Sequence, residues 1–153
     1  MLRIARSDDY DAVKNIKKEI HNLHVQNEPL FYRNVEDLLT LDTLLSEIAK
    51  EKYYVFEMDG VVVGYILINI ITIKDNLMIF NQKILLIEDF GVRSSLKRTG
   101  IGRKMFEKIE EIAVKINANS IELNVWDFNN AAKYFYKAMG MRNTRIRMFK
   151  SLK

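Results

Sequence analysis

A basic loop between an apolar run and a helix-like pattern has the residue types needed to hold a phosphate group. Residues 89–100 follow the apolar run, and Ile101, Gly102, Arg103 and Lys104 open the helical pattern. A helix start leaves backbone N–H groups without partners and carries the positive end of the helix dipole. Phosphates and pyrophosphates bind at such places, so the junction predicts an anion site.

The spacing of the glycines separates this loop from two other phosphate motifs. In a Walker A loop the second glycine follows five positions after the first, but Leu96 stands five positions after Gly91. A dinucleotide fingerprint starting at Gly100 would need a third glycine where Met105 stands. Two glycines alone are weak evidence, because tight turns before helices also use them. The residues by themselves leave a pyrophosphate cradle and an ordinary helix start as equal alternatives.

The elements that must position this loop form a mixed α/β pattern. Asp59-Gly60 is a two-residue hairpin signal, and residues 84–87 are apolar without alternation, which is typical of a central strand covered on both faces. The resulting order is β-α-α-β-β-β-α-β-α-β in a single domain over residues 1–153. The periodicities predict strands at 2–4, 53–58, from 61, 84–87, 121–125 and 146–149, and helices from 7 or 8 to 23, at 35–50, 101–116 and 128–139.

Composition narrows the class of protein. The chain has 153 residues, of which 48% are apolar and 29% charged, a balance typical of soluble globular domains. No apolar run reaches the roughly 20 residues of a membrane span, and the first residues lack a signal-peptide core, so we expect a cytoplasmic protein without membrane contact. There is no cysteine, and the two histidines fit no zinc pattern, so we expect no metal.

The positive charge is concentrated near the loop. The formal net charge is +4, and residues 93–108 contain six cations and one anion. A nucleic-acid surface would interleave such a patch with exposed aromatic rings. Phe106 is the only aromatic residue there, and its helical spacing fits burial. We therefore expect no nucleic-acid partner. A basic nucleic-acid-binding module would instead show steeply salt-dependent binding to oligonucleotides.

A second motif follows the loop by about 30 residues. Together the two motifs resemble the Gcn5-related N-acetyltransferase (GNAT) superfamily, whose acetyl-CoA loop is Gln/Arg-x-x-Gly-x-Gly/Ala and whose next helix is Asn-x-x-Ala-x-x-Phe-Tyr-x-x-x-Gly-Phe. Two positions depart from this pattern, since Met141 replaces the final Phe and Lys97 keeps a charge without the planar donor fork of arginine. The residues that occupy the positions of the two motifs are Lys97, Gly100, Gly102, Asn129, Ala132, Phe135, Tyr136 and Gly140.

The resemblance implies a fold and a co-substrate. The fold would be a single-domain, GNAT-like mixed and largely antiparallel sheet flanked by helices, with a splayed central strand pair ending near Val92 and Val125. Acetyl-CoA would lie in that opening. The implied contacts are Phe90, Gly91 and Val92 with the pantetheine arm, Lys97, Arg98, Thr99, Gly100, Ile101, Gly102, Arg103 and Lys104 with the pyrophosphate, and Asn129 with the pantetheine.

The activity implied by the resemblance is direct acetyl transfer from acetyl-CoA to a primary amine. Such a reaction needs a base, donors for the oxyanion and an acid for the thiolate. Tyr136 matches the family's general acid; the alternative is that it only packs in an apolar stripe. Glu88 and Asp89 interrupt an otherwise buried strand, and alternation puts only one of them on the acceptor face. We favour Glu88 as the base, acting through water, with Asp89 as a structural carboxylate.

The sequence does not identify the amine that accepts the acetyl group. Residues 21–36 would shape its pocket, and the options are a small amine, an aminoglycoside or polyamine, or a peptide or protein amine. Glu28, Glu36 and Asp37 could attract a cationic amine, and His24 could bind substrate, although a solvated helix-end residue is the favoured interpretation. Homodimer formation follows from the resemblance only. The alternative function is a non-catalytic acyl-CoA-binding regulatory module, against which the retention of Tyr136 and Glu88 argues.

Overall fold

One sheet and four α-helices make up the fold in the computed structural model, which describes residues 1–153. Short 3-10 turns, Ser7–Asp9 and Ser94–Leu96, precede α1 and follow β4. The strands are β1 (Leu2–Ile4), β2 (Tyr53–Met58), β3 (Val61–Ile73), β4 (Gln82–Val92) and β5 (Ser120–Leu123). The helices are α1 (Tyr10–Asn27), α2 (Leu41–Ala49), α3 (Ile101–Lys115) and α4 (Asn130–Ala138).

The strands lie side by side in chain order, from β1 to β5. All neighbours are antiparallel except β4 and β5, which are parallel and joined through α3. Asp59 and Gly60 connect β2 to β3 with left-handed φ angles of 49° and 77°. Two such residues suit a tight hairpin turn, because the turn then matches the twist of the strands. The predicted mixed, largely antiparallel sheet with flanking helices is confirmed.

The helices cover both faces of the sheet. Tyr65 and Ile66 are neighbours on β3 and belong to two different core clusters, because successive side chains of a strand point to opposite faces. The cluster of Tyr65 takes its buried helical residues from α1 and α2, namely Val13, Ile16 and Leu44. The cluster of Ile66 takes them from α3, namely Ile101, Met105, Phe106, Ile109 and Ala113.

The parallel pair separates partway along its length. β5 pairs with β4 only from Ile84 to Ile87, and the chain leaves the sheet after Leu123, whereas β4 continues to Val92. The last five residues of β4 therefore have no β5 partner, and the predicted splayed pair is present. Across the sheet, Leu67 pairs with Asp89 and Ile68 with Ile87, so Glu88 is the extra residue of a β-bulge.

Two predicted elements differ from the structure. The strand predicted at 146–149 is wrong, since residues 142–153 form no helix or strand, and Ile146 and Met148 are 85% and 91% exposed. Alternation is a local signal, whereas a strand also needs a sheet edge, and none pairs with this segment. The second helix begins at Leu41 instead of position 35, because the Thr40 hydroxyl accepts a hydrogen bond from the Thr43 N–H at 3.1 Å and caps it.

The remaining boundaries shift by a few residues. The fifth predicted strand ends at Leu123 instead of position 125, and the last helix begins at Asn130 instead of position 128. None of the helices combines the length and the apolar composition that a membrane span needs.

Candidate active site

A cavity of about 390 Å³ lies where β4 and β5 separate. Its walls come from α1, the loop after α1, β3, β4, the segment after β5, and α4. The structure thus brings together residues that are far apart in the chain. Of the predicted site residues, Glu88, Phe90, Asn129 and Tyr136 line this cavity, and Asp89 does so as well.

Tyr136 is held in the cavity by aromatic packing and by the start of α4. Its ring lies 5.2 Å from that of Phe135 and meets the Phe90 ring edge-on at 6.3 Å. Asn129 caps α4, because its side-chain oxygen accepts a hydrogen bond from the Ala132 N–H at 3.1 Å. Burial, and then the charge of Asp89, raise the pKa of Tyr136 above its ordinary value. The phenol therefore keeps its proton at neutral pH, which suits an acid.

The two carboxylates of β4 have different surroundings. Asp89 forms an ion pair with Lys17 of α1, and both side chains are about three-quarters buried. Glu88 is exposed and has no such partner. Both residues line the cavity, so the expectation that alternation would place only one of them there is wrong. The bulge at Glu88 interrupts the alternation, because it adds one residue without a partner on β3.

The end of β4 offers backbone groups along one edge. Phe90, Gly91 and Val92 pair with β3 on one side and have no strand on the other. A Cβ atom on Gly91 would lie 2.5 Å from Ile20 Cδ1 and 2.6 Å from Tyr65 Cε1. Gly91 is therefore needed so that α1 can lie close over β4. Phe90 lines the cavity, whereas Gly91 and Val92 do not.

The basic loop reaches α3 without a side-chain cap. Gly100 is the N-cap residue with a left-handed φ of 86°, and the Lys104 N–H donates to its carbonyl at 3.1 Å. The N–H groups of the first turn before Lys104 thus point out of the helix without helical partners. Lys97 and Arg98 are exposed beside them. This arrangement fits an anion, although residues 97–104 do not line the cavity.

Gly102 has a packing role that the sequence did not predict. A Cβ atom at this position would lie 3.3 Å from the Phe135 ring, so the missing side chain lets α3 pack against α4. Phe135 in turn lies 5.9 Å from the Phe90 ring, measured between centroids. The loop is thereby connected to the cavity wall. Thr99 acts within the loop, since its hydroxyl donates to the Leu96 carbonyl at 2.6 Å.

Several cavity residues were missed or misjudged from the sequence. His24 is half-buried, lines the cavity and stacks on Tyr32 at 5.0 Å, so its interpretation as a solvated helix-end residue is wrong. Burial lowers the pKa of His24, which favours the neutral imidazole. Trp126 donates from Nε1 to the Tyr32 hydroxyl at 2.8 Å. That contact joins positions 94 apart, so no local pattern could reveal it.

None of the three acidic residues considered for attracting a cationic acceptor lines the cavity, and two of them form ion pairs elsewhere. Glu36 pairs with Lys18 at 2.5 Å and Asp37 with Lys14 at 3.0 Å. Neither of these acids lines the cavity, and Glu28 does not line it either. The loop therefore adds no free carboxylate to the acceptor side.

The chain belongs to the acetyltransferase (GNAT) family, because residues 17–141 match the model of that family. It is similar to the probable N-acetyltransferase san of Drosophila melanogaster, with 37% identity over 123 residues, which are 79% of this chain and 61% of that protein. The chain spans about three fifths of the length of the curated relatives it matches.

Solved structures share the fold. A mutant of the BH1408 protein from Bacillus halodurans superposes with a TM-score of 0.96 at 28% identity, covering 100% of this chain and 99% of that one. The aminoglycoside N-acetyltransferase AAC(6')-Iy, determined in complex with CoA, superposes with a TM-score of 0.70 at 10% identity, over 100% of this chain and 99% of that one. At that identity the likeness concerns the fold.

Proposed function

We propose that this protein is an acetyl-CoA-dependent N-acetyltransferase that transfers the acetyl group directly to a primary amine. The observation that carries the proposal is the position of the cavity. It lies at the separation of β4 and β5 and contains both Tyr136 and Glu88. The uncapped, basic start of α3 adjoins it through the contact of Gly102 with Phe135. Membership of the acetyltransferase family supports the same activity.

Acetyl-CoA fits this arrangement as co-substrate. The pantetheine amides would pair with the free edge of β4 at Phe90, Gly91 and Val92, much as a further strand would. The pyrophosphate would bind at residues 97–104, where free N–H groups and cations meet. Asn129 would contact the pantetheine through its amide nitrogen, because its oxygen caps α4. The aminoglycoside acetyltransferase of the same fold was determined in complex with CoA, which is consistent with acetyl-CoA as the co-substrate here.

The chemistry assigns one step to each of three groups. The amine nitrogen attacks the thioester carbonyl carbon, and Glu88 takes the proton of the amine through water. Backbone N–H groups at the end of β4 stabilise the charge on the carbonyl oxygen. As the carbon–sulfur bond breaks, the CoA thiolate receives the proton of Tyr136. We propose further that residues 1–153 form one acetyltransferase domain.

The test is release of free CoA thiol from acetyl-CoA by the purified protein. A panel of small amines, polyamines, aminoglycosides and peptides is compared with an amine-free reaction. We expect steady thiol release that requires an amine, with one acetylated amine formed for each thiol. A non-catalytic acyl-CoA-binding module predicts saturable binding of acetyl-CoA with no amine-dependent thiol release, and that result would overturn the proposal.

A further inference from the structure

Aromatic side chains form one wall of the cavity. We call His21, His24, Tyr32 and Trp126 the aromatic wall, and all four line the cavity. The Tyr32 ring stacks on His24 at 5.0 Å and meets Trp126 edge-on at 5.6 Å. Three separate parts of the chain contribute to the wall, namely α1, the loop after it, and the segment after β5. A flat ligand would find ring faces and edges there at favourable distances.

Hydrogen bonds hold the aromatic wall in place. Trp126 Nε1 donates to the Tyr32 hydroxyl at 2.8 Å. The N–H groups of Phe31 and Tyr32 both donate to the Glu28 carbonyl at 3.0 Å, which fixes the loop after α1. Phe31 then packs against Trp126 from outside, with centroids 5.1 Å apart. A ligand that uses this wall therefore orders few side chains when it binds.

The charged side chains that line the cavity suit an acceptor with a single ammonium group. Glu88 and Asp89 are the carboxylates that line it, and Lys17 already neutralises Asp89. Glu88 is left as the single unpaired carboxylate. His24 is kept neutral by burial, which lowers its pKa. A polycation would place further ammonium groups near Lys17 without additional carboxylates to match them.

From the aromatic wall and the single unpaired carboxylate, we infer that the acceptor is a monoamine attached to a planar apolar group, in the class of arylalkylamines. This inference rests on the proposed acetyl transfer. The ring lies against Tyr32 and Trp126, and the amino group faces Glu88. Polyamines and aminoglycosides are poor acceptors, because they lack a ring of this kind and bring several cations.

The kinetic test compares four amines by kcat/KM, measured as CoA thiol release. We expect 2-phenylethylamine to exceed ethylamine by at least about tenfold, since the phenyl ring leaves water on binding. It should also exceed spermidine and kanamycin. The substitution Trp126→Ala should lower the ratio of kcat/KM for 2-phenylethylamine to kcat/KM for ethylamine by roughly tenfold, because only the larger amine loses contact with the indole ring. Phe80→Ala is the control, because Phe80 is 93% exposed on the loop between β3 and β4.

A second variant at position 126 distinguishes the loss of an aromatic ring from a general disruption of the fold. Trp126→Phe keeps a ring but loses the hydrogen bond to Tyr32. It should retain the preference for 2-phenylethylamine over ethylamine. Equal values for the two amines in the wild type, or a preference unchanged in a Trp126→Ala variant that still binds acetyl-CoA, would overturn the inference.

Fluorescence makes the inference testable without turnover, because Trp126 is the only tryptophan of the chain. Titration with 2-phenylethylamine should change its emission, whereas ethylamine at the same concentrations should not. Such a change without thiol release from any amine would refute acetyl transfer and support ring binding at the aromatic wall. Rapid thiol release with spermidine or kanamycin, and no fluorescence change with 2-phenylethylamine, would refute the inference and support acetyl transfer.

Discussion

Two tyrosines on α4 lie two positions apart and have opposite surroundings. Tyr134 is 75% exposed, whereas Tyr136 lines the cavity and packs against Phe90. We predict that Tyr136→Phe lowers kcat by roughly a hundredfold, because the leaving thiolate loses its proton donor. The KM for acetyl-CoA should change little, since the phenyl ring keeps the packing.

Tyr134→Phe is the matched control and should retain full activity. Steady-state thiol release measures both, and full activity in Tyr136→Phe would remove the acid assignment.

Glu88 is the residue that we propose as the base for the amine. If it accepts the proton of the amine, Glu88→Gln should lower kcat/KM for the amine by roughly a hundredfold at neutral pH. The loss should shrink as the pH rises, because a larger share of the amine is then already neutral. Glu107→Gln on the exposed face of α3 is the control. A pH–rate profile decides the matter: an unchanged profile in Glu88→Gln would leave Asp89 or water alone as the base.

The N-terminus of α3 is the place where we propose that the pyrophosphate of acetyl-CoA binds. Lys97 is exposed beside the uncapped first turn. We predict that Lys97→Ala raises the KM for acetyl-CoA by roughly tenfold, because one charge-assisted contact with the pyrophosphate is lost. S-acetyl-pantetheine lacks the pyrophosphate, so its KM should not change. Lys108→Ala is the control, since Lys108 lies farther along α3 and pairs with Glu111 at 2.7 Å. An equal effect of Lys97→Ala on both thioesters would contradict the placement of the pyrophosphate.

An ion pair joins β1 to the start of α1. Arg3 donates to both oxygens of Asp9, at 2.7 and 2.9 Å, and the Arg6 N–H donates to Asp9 at 2.7 Å. Asp9 is only 7% exposed. Asp9→Asn should lower the free energy of unfolding by roughly 2 kcal/mol at neutral pH, because Arg3 loses one of its two carboxylate partners and keeps the ion pair with Glu57 at 2.6 Å. Urea unfolding measures this value, and Asp8→Asn, at an exposed neighbouring position, should change it little.

The same pair predicts how the stability depends on pH. The hydrogen bond from Arg3 is the main cause that lowers the pKa of Asp9 below its ordinary value. The stabilisation is therefore fully present above the unfolded pKa of about 4 and is lost as the pH falls through the lower folded pKa. The difference in unfolding free energy between the wild type and Asp9→Asn should shrink in acid. A difference that stays constant down to about pH 2 would contradict the role of the charge.

Short sequence patterns predicted most of the helices and strands of the molecule. Asp59-Gly60 is sufficient for a hairpin because its two residues adopt the required φ angles. The motifs around Gly100 and Asn129 each belong to one turn and the helix after it, so their spacing is visible in the sequence. The strand predicted at 146–149 failed for the converse reason, since a strand depends on a partner edge elsewhere in the fold.

Short sequence patterns could not predict the geometry of the cavity, because residues far apart in the chain form it. The Lys17–Asp89 pair and the contact of Trp126 with Tyr32 join residues 72 and 94 positions apart. The bulge at Glu88 exists only through the pairing of β4 with β3. The sequence therefore indicated the residues that resemble known motifs, but it did not indicate the aromatic wall, because tertiary packing assembles that wall.

The two faces of the sheet have separate tasks in the proposed enzyme. On one face, the start of α3 would bind the pyrophosphate and α4 carries Tyr136, whereas α1, the loop after it and the segment after β5 form the aromatic wall proposed to bind the acceptor. The opening between β4 and β5 lets the two sides meet. We propose that catalysis takes place at this opening.

A crystal structure of the protein with CoA bound would test whether the thioester is placed at this opening. We predict that the thiol sulfur lies in the cavity, within hydrogen-bonding distance of the Tyr136 hydroxyl, and that the pyrophosphate lies at the N-terminus of α3. The pantetheine arm should pair with the free edge of β4 at Phe90–Val92. CoA bound with its thiol outside the cavity, or with its pyrophosphate away from residues 97–104, would contradict catalysis at this opening.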